Sequence, residues 1–377
     1  MSRQTARALS EAKRQDPKPL SKKIVRSFKC AACFKEKEDG IVPYNHLDYH
    51  LSGQYLVASS SDTVSVFDAV AGTRLTRIRS KTTGTKFVRY THAPDAVLFC
   101  GADAETGEHE NRIVHYVNLR TNQFVRHFKG HEANIINVTK IHMANDTFCT
   151  TDEDAVMKLW DLRGPKAVGS LDLKASKGHR TEDERLYVAQ GSKGSCFAVV
   201  QSTGLLRLYD SRNAALGPFD QSDLAPALRR ECGDGTTVQS IHLSPNDEEG
   251  GDIIFGTSKD HLMSICPKKL EFQYLLQGRK KKTPNVLPVA LSPDGAFVVA
   301  ASEMKHTLPK TYKVGGGETE SQVYEMVVWS LKKRGEGRVM AKWSGTSLFH
   351  ARAMEWNPRY QSFASACCAV KFFCPSL

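Results

Sequence analysis

The segment from residue 130 to residue 161 constrains the fold more than any other part of the chain. It opens with Gly130-His131, carries Asp154 before a short run of residues suited to a strand, and closes with Trp160-Asp161. This spacing is typical of one unit of a repeat architecture. Because such architectures grow by adding units, a chain of 377 residues need not divide into the two or three domains that its length would otherwise suggest.

The remaining sequence reads as a series of short strands. Alternating or β-branched runs bounded by Gly, Asn, Asp or Pro recur from residue 24 onward, for example at 54–59, 63–67, 134–139 and 295–300. Helical periodicity sustained over a dozen residues is hard to find. The pattern therefore predicts an all-β protein.

The 130–161 segment resembles the signature of a WD40 propeller blade. In such blades a histidine bonds a serine or threonine, this hydroxyl bonds the tryptophan indole, and an aspartate fixes the histidine tautomer. The resemblance implies that the corresponding residues here are His131, Thr150, Trp160 and Asp154. We expect a buried, internally satisfied polar network with a structural role, because no nucleophile is placed beside the His–Asp pair.

Six dipeptides align with Trp160-Asp161, and the seven together predict a single seven-bladed WD40 β-propeller. They are Phe67-Asp68, Val117-Asn118, Trp160-Asp161, Tyr209-Asp210, Cys266-Pro267, Trp329-Ser330 and Phe373-Cys374. Several intervals exceed the roughly 40–45 residues of a minimal blade. We therefore expect insertions in four polar stretches, which are 101–111, 174–185, 246–252 and 303–323, the last containing a flexible run of three glycines at 315–317.

One strand is missing from the last predicted blade, because three residues follow Phe373-Cys374. A strand without a blade lies near the other end of the chain, from Val25 to Phe34. We expect this N-terminal strand to complete the last blade and so remove a free sheet edge. The predicted organisation is a disordered basic tail over residues 1–23 and one propeller domain over 24–377.

The charge is unevenly distributed. The chain has 52 Lys and Arg against 41 Asp and Glu, a net charge of +11, and residues 1–23 account for +5 of it. Two further basic clusters are Arg279–Lys282 and Lys332–Arg334. Together with the tail they favour a nuclear protein. They leave nucleic-acid binding open through the tail, but this distribution does not favour direct binding by the propeller itself.

Other functional classes find little support. The ten cysteines are expected to be reduced, and Cys30-Ala-Ala-Cys33 lies in an extended stretch, where residues three apart point to opposite faces. We therefore expect no metal site and no cofactor. The sequence has no complete P-loop, nucleophile elbow or HExxH motif, so an enzyme is not expected. It also has no apolar run long enough for a membrane span or a secretory signal.

The remaining reading is a binding module, by analogy with propellers whose loops receive partner segments on one face. Residues that lead into the innermost strands would line that face, namely Asn45, Phe87, Asn134, Thr237, Asn285 and His350. Turns before the third strands would lie beside them, at Asp62, Glu153, Thr203 and Lys259.

Several longer motifs resemble one propeller family, the WD repeat-containing protein 82 family or Swd-two-like subunits. These motifs are Arg26-Ser27-Phe28, Arg89-Tyr-Thr-His-Ala93, Leu159-Trp-Asp-Leu-Arg163, Gly217-Pro-Phe219 and Phe363-Ala-Ser-Ala-Cys367. The resemblance implies a non-catalytic adaptor, monomeric within a nuclear hetero-complex. Its members join a protein phosphatase one complex that acts in RNA polymerase II termination, and a SET-domain histone lysine methyltransferase complex.

We expect the phosphatase assembly, with its targeting subunit as partner, in preference to the methyltransferase assembly. Another alternative is a direct nucleic-acid or phosphopeptide reader that uses the basic tail and clusters. A substrate receptor of a ubiquitin ligase, or a ribosome-assembly factor, would share the fold but not the family-specific motifs.

Overall fold

The computed structural model describes residues 20–35, 43–80, 84–101, 110–141, 146–173, 185–191, 196–245, 251–314, 317–331, 337–347 and 351–376. Their strands form seven four-stranded antiparallel sheets, each with the strand order of a propeller blade. The predicted all-β class and the count of seven blades are confirmed. In the described part of the chain, no helix is long and apolar enough to cross a membrane.

The first elements are a short helix, α1 (Lys22–Arg26), and a strand, β1 (Phe28–Lys35). Blades 1 and 2 contain β2 (His46–Tyr49), β3 (Tyr55–Ser59), β4 (Thr63–Asp68), β5 (Thr73–Arg79), β6 (Phe87–Tyr90), β7 (Ala96–Cys100), β8 (Val114–Asn118) and β9 (Gln123–Phe128). Blades 3 and 4 contain β10 (Ile135–Val138), β11 (Thr147–Asp152), β12 (Val156–Asp161), β13 (Ala167–Asp172), β14 (Leu186–Gln190), β15 (Cys196–Gln201), β16 (Leu205–Asp210) and β17 (Asp220–Asp223).

A second helix, α2 (Ala225–Cys232), precedes blade 5. Blades 5 and 6 contain β18 (Val238–Leu243), β19 (Ile253–Thr257), β20 (Leu262–Cys266), β21 (Glu271–Leu276), β22 (Val289–Leu291), β23 (Phe297–Val314), β24 (Gly317–Ser330) and β25 (Val339–Ser347). Blade 7 contains β26 (Ala353–Trp356), β27 (Phe363–Ala366) and β28 (Ala369–Pro375), together with β1. All seven predicted closing dipeptides lie at or next to the end of the third strand of their blades.

The blades belong to two compact units. Unit 1 consists of the described residues up to Arg79, Lys259–His261 and those from Tyr274 onward, and it holds blades 1, 6 and 7. Unit 2 consists of Ser80–Ser258 and Leu262–Gln273, and it holds blades 2, 3 and 4 with the first three strands of blade 5.

Strand β1 completes blade 7, as the sequence predicts. It pairs antiparallel with β28 from Phe28 opposite Pro375 to Lys35 opposite Ala369. Phe28 is buried and stacks on Trp343, with ring centroids 5.1 Å apart. The strand therefore supplies both backbone pairing and an aromatic ring to the core of unit 1.

Ordered structure begins before the predicted domain boundary. Ser21 caps α1 by accepting a hydrogen bond from the Ile24 amide, and the Val25 carbonyl accepts one from Trp343 Nε1 at 3.1 Å. Leu20 is buried in the same aromatic core. The boundary between residues 23 and 24 falls inside α1, so residues 20–23 form part of the folded unit. The rest of the predicted tail lies outside the described residues.

The described residues of the insertion predicted at 303–323 form a two-stranded ribbon whose register shifts between Glu303 and Thr307 and again between Thr307 and Thr311. Strands β23 and β24 extend beyond blade 6 and stay paired as far as Val314 and Gly317. Threonine, valine and tyrosine recur along both strands and favour extended backbone. The overall polarity of residues 303–323 had suggested a loop. The other three predicted insertions lie mainly outside the described residues.

Helix α2 was missed by the sequence analysis. Eight residues long, it buries Leu228 fully, so its apolar periodicity is too short to detect. The Leu224 amide donates to the Gly204 carbonyl at 3.1 Å, which anchors the start of the helix on the turn between β15 and β16. Gly204 has φ +113°, and a Cβ there would lie 2.8 Å from Leu228. Glycine is therefore required at this contact.

Candidate functional site

Three of the four predicted network residues form one buried hydrogen-bonded chain in blade 3. Trp160 Nε1 donates to Thr150 Oγ1 at 2.8 Å, and Thr150 Oγ1 lies 2.6 Å from His131 Nε2. Since the hydroxyl accepts from the indole, its own proton is directed to Nε2. Nδ1 of His131 then carries the other proton and donates to Asp152 Oδ2 at 2.6 Å. Every polar atom in the chain of bonds is satisfied.

The carboxylate in this network is Asp152, so the assignment to Asp154 is wrong. Thr150 and Asp152 are two residues apart on β11 and therefore point to the same face, toward His131. Asp154 lies exposed in the turn that follows. Asp152 also accepts from the Val156 amide at 2.9 Å, which fixes that turn. Alternation does not separate the two acids, because both have the parity of Thr150; β11 ends at Asp152, which leaves Asp154 in the turn.

The arrangement resembles a hydrolytic triad, but its environment suits a structural role. The side chains of His131 and Asp152 are 0% and 2% exposed, and Thr150 is equally buried. The hydroxyl of Thr150 is already bonded on both sides, so it faces no space where a substrate could be attacked. The network fixes the segment that precedes β10 against the middle strands of blade 3.

The reassigned carboxylate gives a direct test. Replacing Asp152 with alanine is expected to lower the free energy of unfolding by about 1–3 kcal/mol, because a buried N–H of His131 loses its acceptor. Asp154→Ala is the matched control and should leave stability nearly unchanged. Urea unfolding of both variants measures the difference, and equal stability losses would contradict the assignment.

Three of the five partner-face residues predicted in unit 1 lie at the expected strand ends or turns, one is displaced and one is not described. Asn45 lies directly before β2, and its Oδ1 accepts from Arg352 Nη1 at 3.2 Å. Asp62 and Lys259 lie in turns before third strands, as expected. Asn285 is exposed but lies three residues before Pro288. His350 lies outside the described residues.

Pro288, and not Asn285, occupies the position that leads into β22. Its carbonyl accepts from the Ala301 amide at 3.1 Å. Blade 3 shows the same bond between the Asn134 carbonyl and the Glu153 amide, at 3.0 Å. The extra residues between β21 and β22 displaced the alignment by three positions.

The five positions predicted in unit 2 lie at the expected strand ends. Phe87 begins β6, and the bond between Asn134 and Glu153 brings those two residues together. Thr203 lies in the turn after β15, and Thr237 directly precedes β18. The Val238 amide donates to the Ser202 carbonyl at 2.8 Å, so these two positions also lie side by side.

The basic cluster Arg279–Lys282 is partly structural. The buried guanidinium of Arg279 donates to the carbonyls of Lys259 and His261 at 2.6 and 3.3 Å, and burial lowers its pKa to about 10. The Lys281 and Lys282 amides donate to Asp260 and Glu303. Of the four side chains, those of Lys280 and Lys282 are exposed. The cluster Lys332–Arg334 lies outside the described residues.

The expectation that Cys30 and Cys33 point to opposite faces is wrong. A β-bulge between Cys30 and Ala32 adds one residue to β1, so Cys30 pairs with Phe373 and Cys33 with Lys371. Directly paired residues share a face, and Phe373 and Lys371 are two apart on β28. Both thiols therefore lie on one face. Among the described residues, no three His, Cys, Asp or Glu side chains are placed to hold a metal ion.

A second histidine cluster lies across β8 and β9. His115 Nδ1 is 2.9 Å from His127 Nδ1, the His115 ring stacks on Phe99, and Glu110 Oε2 lies 2.8 Å from His115 Nε2. Burial, with smaller contributions from His127 and Lys129, lowers the pKa of His115 to about 3. The folded protein therefore holds this imidazole neutral.

This shift predicts a pH-dependent stability. The pKa of His115 falls from 6.5 to about 3 on folding. As the pH is lowered, the histidine is therefore protonated in the unfolded chain at a higher pH than in the folded protein. Its stabilising contribution is present above pH 6.5 and is lost as the pH falls toward 3. Unfolding free energies at pH 7 and pH 5 should differ less in His115→Asn than in the unaltered protein. Burial lowers the pKa of His242 to about 4, and this residue contributes equally to the pH dependence of both proteins. The same change in unfolding free energy between pH 7 and pH 5 in both proteins would contradict the prediction.

Comparison with known proteins places these features in context. A model of the WD domain, G-beta repeat, matches residues 122–161. WD repeat-containing protein 82 of Drosophila melanogaster is 24% identical over 354 residues, covering 94% of this chain and 96% of that protein. COMPASS component SWD2 of Saccharomyces cerevisiae is 32% identical over 38% of this chain and 42% of that protein. Set1 complex component swd2 of Schizosaccharomyces pombe is 27% identical, covering 69% and 68%.

A solved structure shows the same fold. The β-propeller domain of Cps50 (Swd1) from Myceliophteria thermophila superposes with a TM-score of 0.64, at 13% identity, over 93% of this chain and 100% of that chain. The protein is thus a seven-bladed β-propeller, and its residues 122–161 match a WD repeat. Its resemblance to the WD repeat-containing protein 82 family is confirmed and extends along nearly the whole chain.

Proposed function

We propose that the chain is a non-catalytic scaffold subunit of a nuclear complex that acts on chromatin and transcription. The observation that carries the proposal is the similarity to WD repeat-containing protein 82 over 94% of this chain and 96% of that protein. The His131 network supports the non-catalytic part of the proposal, because its polar groups are buried and bonded to one another. We propose further that residues 20–377 act as one propeller and that its partners are proteins.

Two assemblies are proposed, and the relatives favour one of them. Relatives described as COMPASS component SWD2 and Set1 complex component swd2 support a SET-domain histone methyltransferase complex. The protein phosphatase one complex of transcription termination, which the family resemblance also implies, is the second candidate. Both would use the propeller as a docking surface without chemistry of its own.

Co-purification from nuclear extract distinguishes the candidates. A tagged full-length chain is expected to recover a SET-domain methyltransferase subunit; recovery of a phosphatase one catalytic subunit in its place would favour the second assembly. Recovery of neither would contradict the scaffold proposal. Microscopy of the tagged chain should place it in the nucleus.

The proposed partner face can be tested in the same preparation. Thr203 and Thr237 are exposed and lie side by side, so Thr203→Arg with Thr237→Arg should reduce partner recovery through bulk and charge. Ser170→Arg, an exposed position on the outer strand β13, is the matched control and should retain the partners. Unchanged recovery by the double variant would remove these two positions from the interface.

A further inference from the structure

Two histidines of blade 2 meet across the outer pair of strands. His115 of β8 and His127 of β9 are paired directly opposite one another, so they project from the same face of the sheet. Their Nδ1 atoms are 2.9 Å apart, and His127 is exposed to solvent. The two residues are 12 apart in sequence, and the turn between β8 and β9 brings them together. Metal-ligand motifs rely on shorter spacings, so the sequence alone did not indicate this pair.

The surroundings of His115 place a lone pair on its Nδ1 atom. Glu110 Oε2 lies 2.8 Å from Nε2 of this ring, and a carboxylate at that distance holds the ring proton on Nε2. The neutral ring then presents Nδ1 as an acceptor, to which the Nδ1–H of His127 donates. Burial is the main reason that the pKa of each histidine is lowered. Both rings are therefore neutral at pH 7, which is the form that binds metal ions.

Two phenylalanine rings hold the pair in place. Phe99 is paired with His115 across β7 and β8, and the two rings stack with centroids 5.0 Å apart. The ring of Phe124 lies 5.4 Å from that of His115 and 4.9 Å from that of His127. Packing therefore orients both imidazoles before any ligand binds, which reduces the entropy lost when a site is assembled.

We propose that His115 and His127 bind a divalent transition-metal ion through their Nδ1 atoms, with Ni²⁺ and Cu²⁺ preferred to Zn²⁺. To admit the ion, the proton of His127 moves from Nδ1 to Nε2, a change of tautomer that leaves the ring neutral. Metal–nitrogen bonds are about 2.0–2.1 Å long, and two of them span 2.9 Å when they meet at about a right angle. Right angles suit tetragonal Ni²⁺ and Cu²⁺ sites, whereas Zn²⁺ prefers tetrahedral ones.

Glu110 has the position of an outer partner of this site. A metal-binding histidine almost always donates its other ring N–H to a carboxylate, a carbonyl or water, and Glu110 already lies at that nitrogen of His115. The part of the chain that the structure describes offers no third side chain placed to join the two imidazoles, so water would fill the other coordination positions. The site rests on the geometry of blade 2 and is independent of the proposed scaffold function.

Calorimetric titration of the full-length, untagged chain with Ni²⁺ tests the site. Glu110→Gln is expected to weaken binding by about tenfold, the lower end of the range for outer partners of metal ligands. His127→Ala removes an exposed ligand and should weaken binding by at least as much. The matched control is His261→Ala, which removes a half-buried histidine of unit 1 and should keep the affinity. All variants retain the ten cysteines, so any binding by thiols is common to them.

Two further measurements separate a metal site from a purely structural histidine pair. The positive charge of Lys129 acts on both rings and would repel a bound cation, so Lys129→Gln should tighten Ni²⁺ binding. Ni²⁺ should also raise the Tm of the unaltered protein, because the site exists only in the folded chain, and should not raise that of His127→Ala. Equal Ni²⁺ affinity of His127→Ala and the unaltered protein, or tighter binding of Zn²⁺ than of Ni²⁺, would overturn the proposal.

Discussion

Replacing Trp160 with alanine is expected to lower the free energy of unfolding by about 3–5 kcal/mol, in the range found for large aromatic residues in protein cores. Trp160 is fully buried, and its ring lies 5.6 Å from that of Phe128 and 6.4 Å from that of Phe148. The substitution removes this packing and also the donor that orients the Thr150 hydroxyl. Both losses fall on blade 3.

Urea unfolding followed by circular dichroism measures this effect. Phe219→Ala is the matched control in the same unit, since Phe219 is 62% exposed and its truncation should cost about 0.5 kcal/mol or less. A loss below about 1 kcal/mol for the Trp160 variant would show that blade 3 does not depend on its network.

Removing residues 1–35 should have an even larger effect, because it deletes the strand that completes blade 7. The truncated chain loses the pairing of β1 with β28, the stacking of Phe28 on Trp343 and the acceptor of the Trp343 indole. Loss of the Phe28 ring alone costs about 3–5 kcal/mol, a large share of a net stability of about 5–15 kcal/mol. We expect this variant to be unfolded or aggregated, since β28 becomes an unpaired edge.

A shorter truncation is the control. Removal of residues 1–19 retains Leu20, α1 and β1, and should leave the unfolding free energy unchanged. Size-exclusion chromatography and urea unfolding compare the two truncations with the full chain. Cooperative unfolding of the 1–35 truncation with the stability of the full chain would contradict the assignment of β1 to blade 7.

The fold was predictable because its signals are local and repeated. Closing dipeptides mark the ends of the third strands, and the unpaired strand at Val25–Phe34 identified the fourth strand of blade 7. The network residues His131, Thr150 and Trp160 followed from one WD40-like segment. The strand and blade inferences depended on residue type and spacing, whereas the roles of the network residues were implied by the resemblance to WD40 blades.

The errors arose where a single residue changes the register. The bulge in β1 reverses strand parity, so the shared face of Cys30 and Cys33 could not be deduced from alternation. Asp152 and Asp154 are equivalent in spacing from the blade signature, and only the end of β11 separates them. The three-residue error at Asn285 came from the connection before β22, whose length no motif fixes.

The pairing of β1 with β28 also determines when the protein can finish folding. During synthesis β1 emerges well before its partner, because the strands of the six other blades lie between Phe28 and Pro375 in the sequence. Blade 7 therefore cannot be completed until β28 has been synthesised, and contacts this distant in sequence form slowly. Until then the backbone of β1 lacks its pairing partner. A chain terminated before β28 would therefore present an incomplete blade 7 with β1 unpaired.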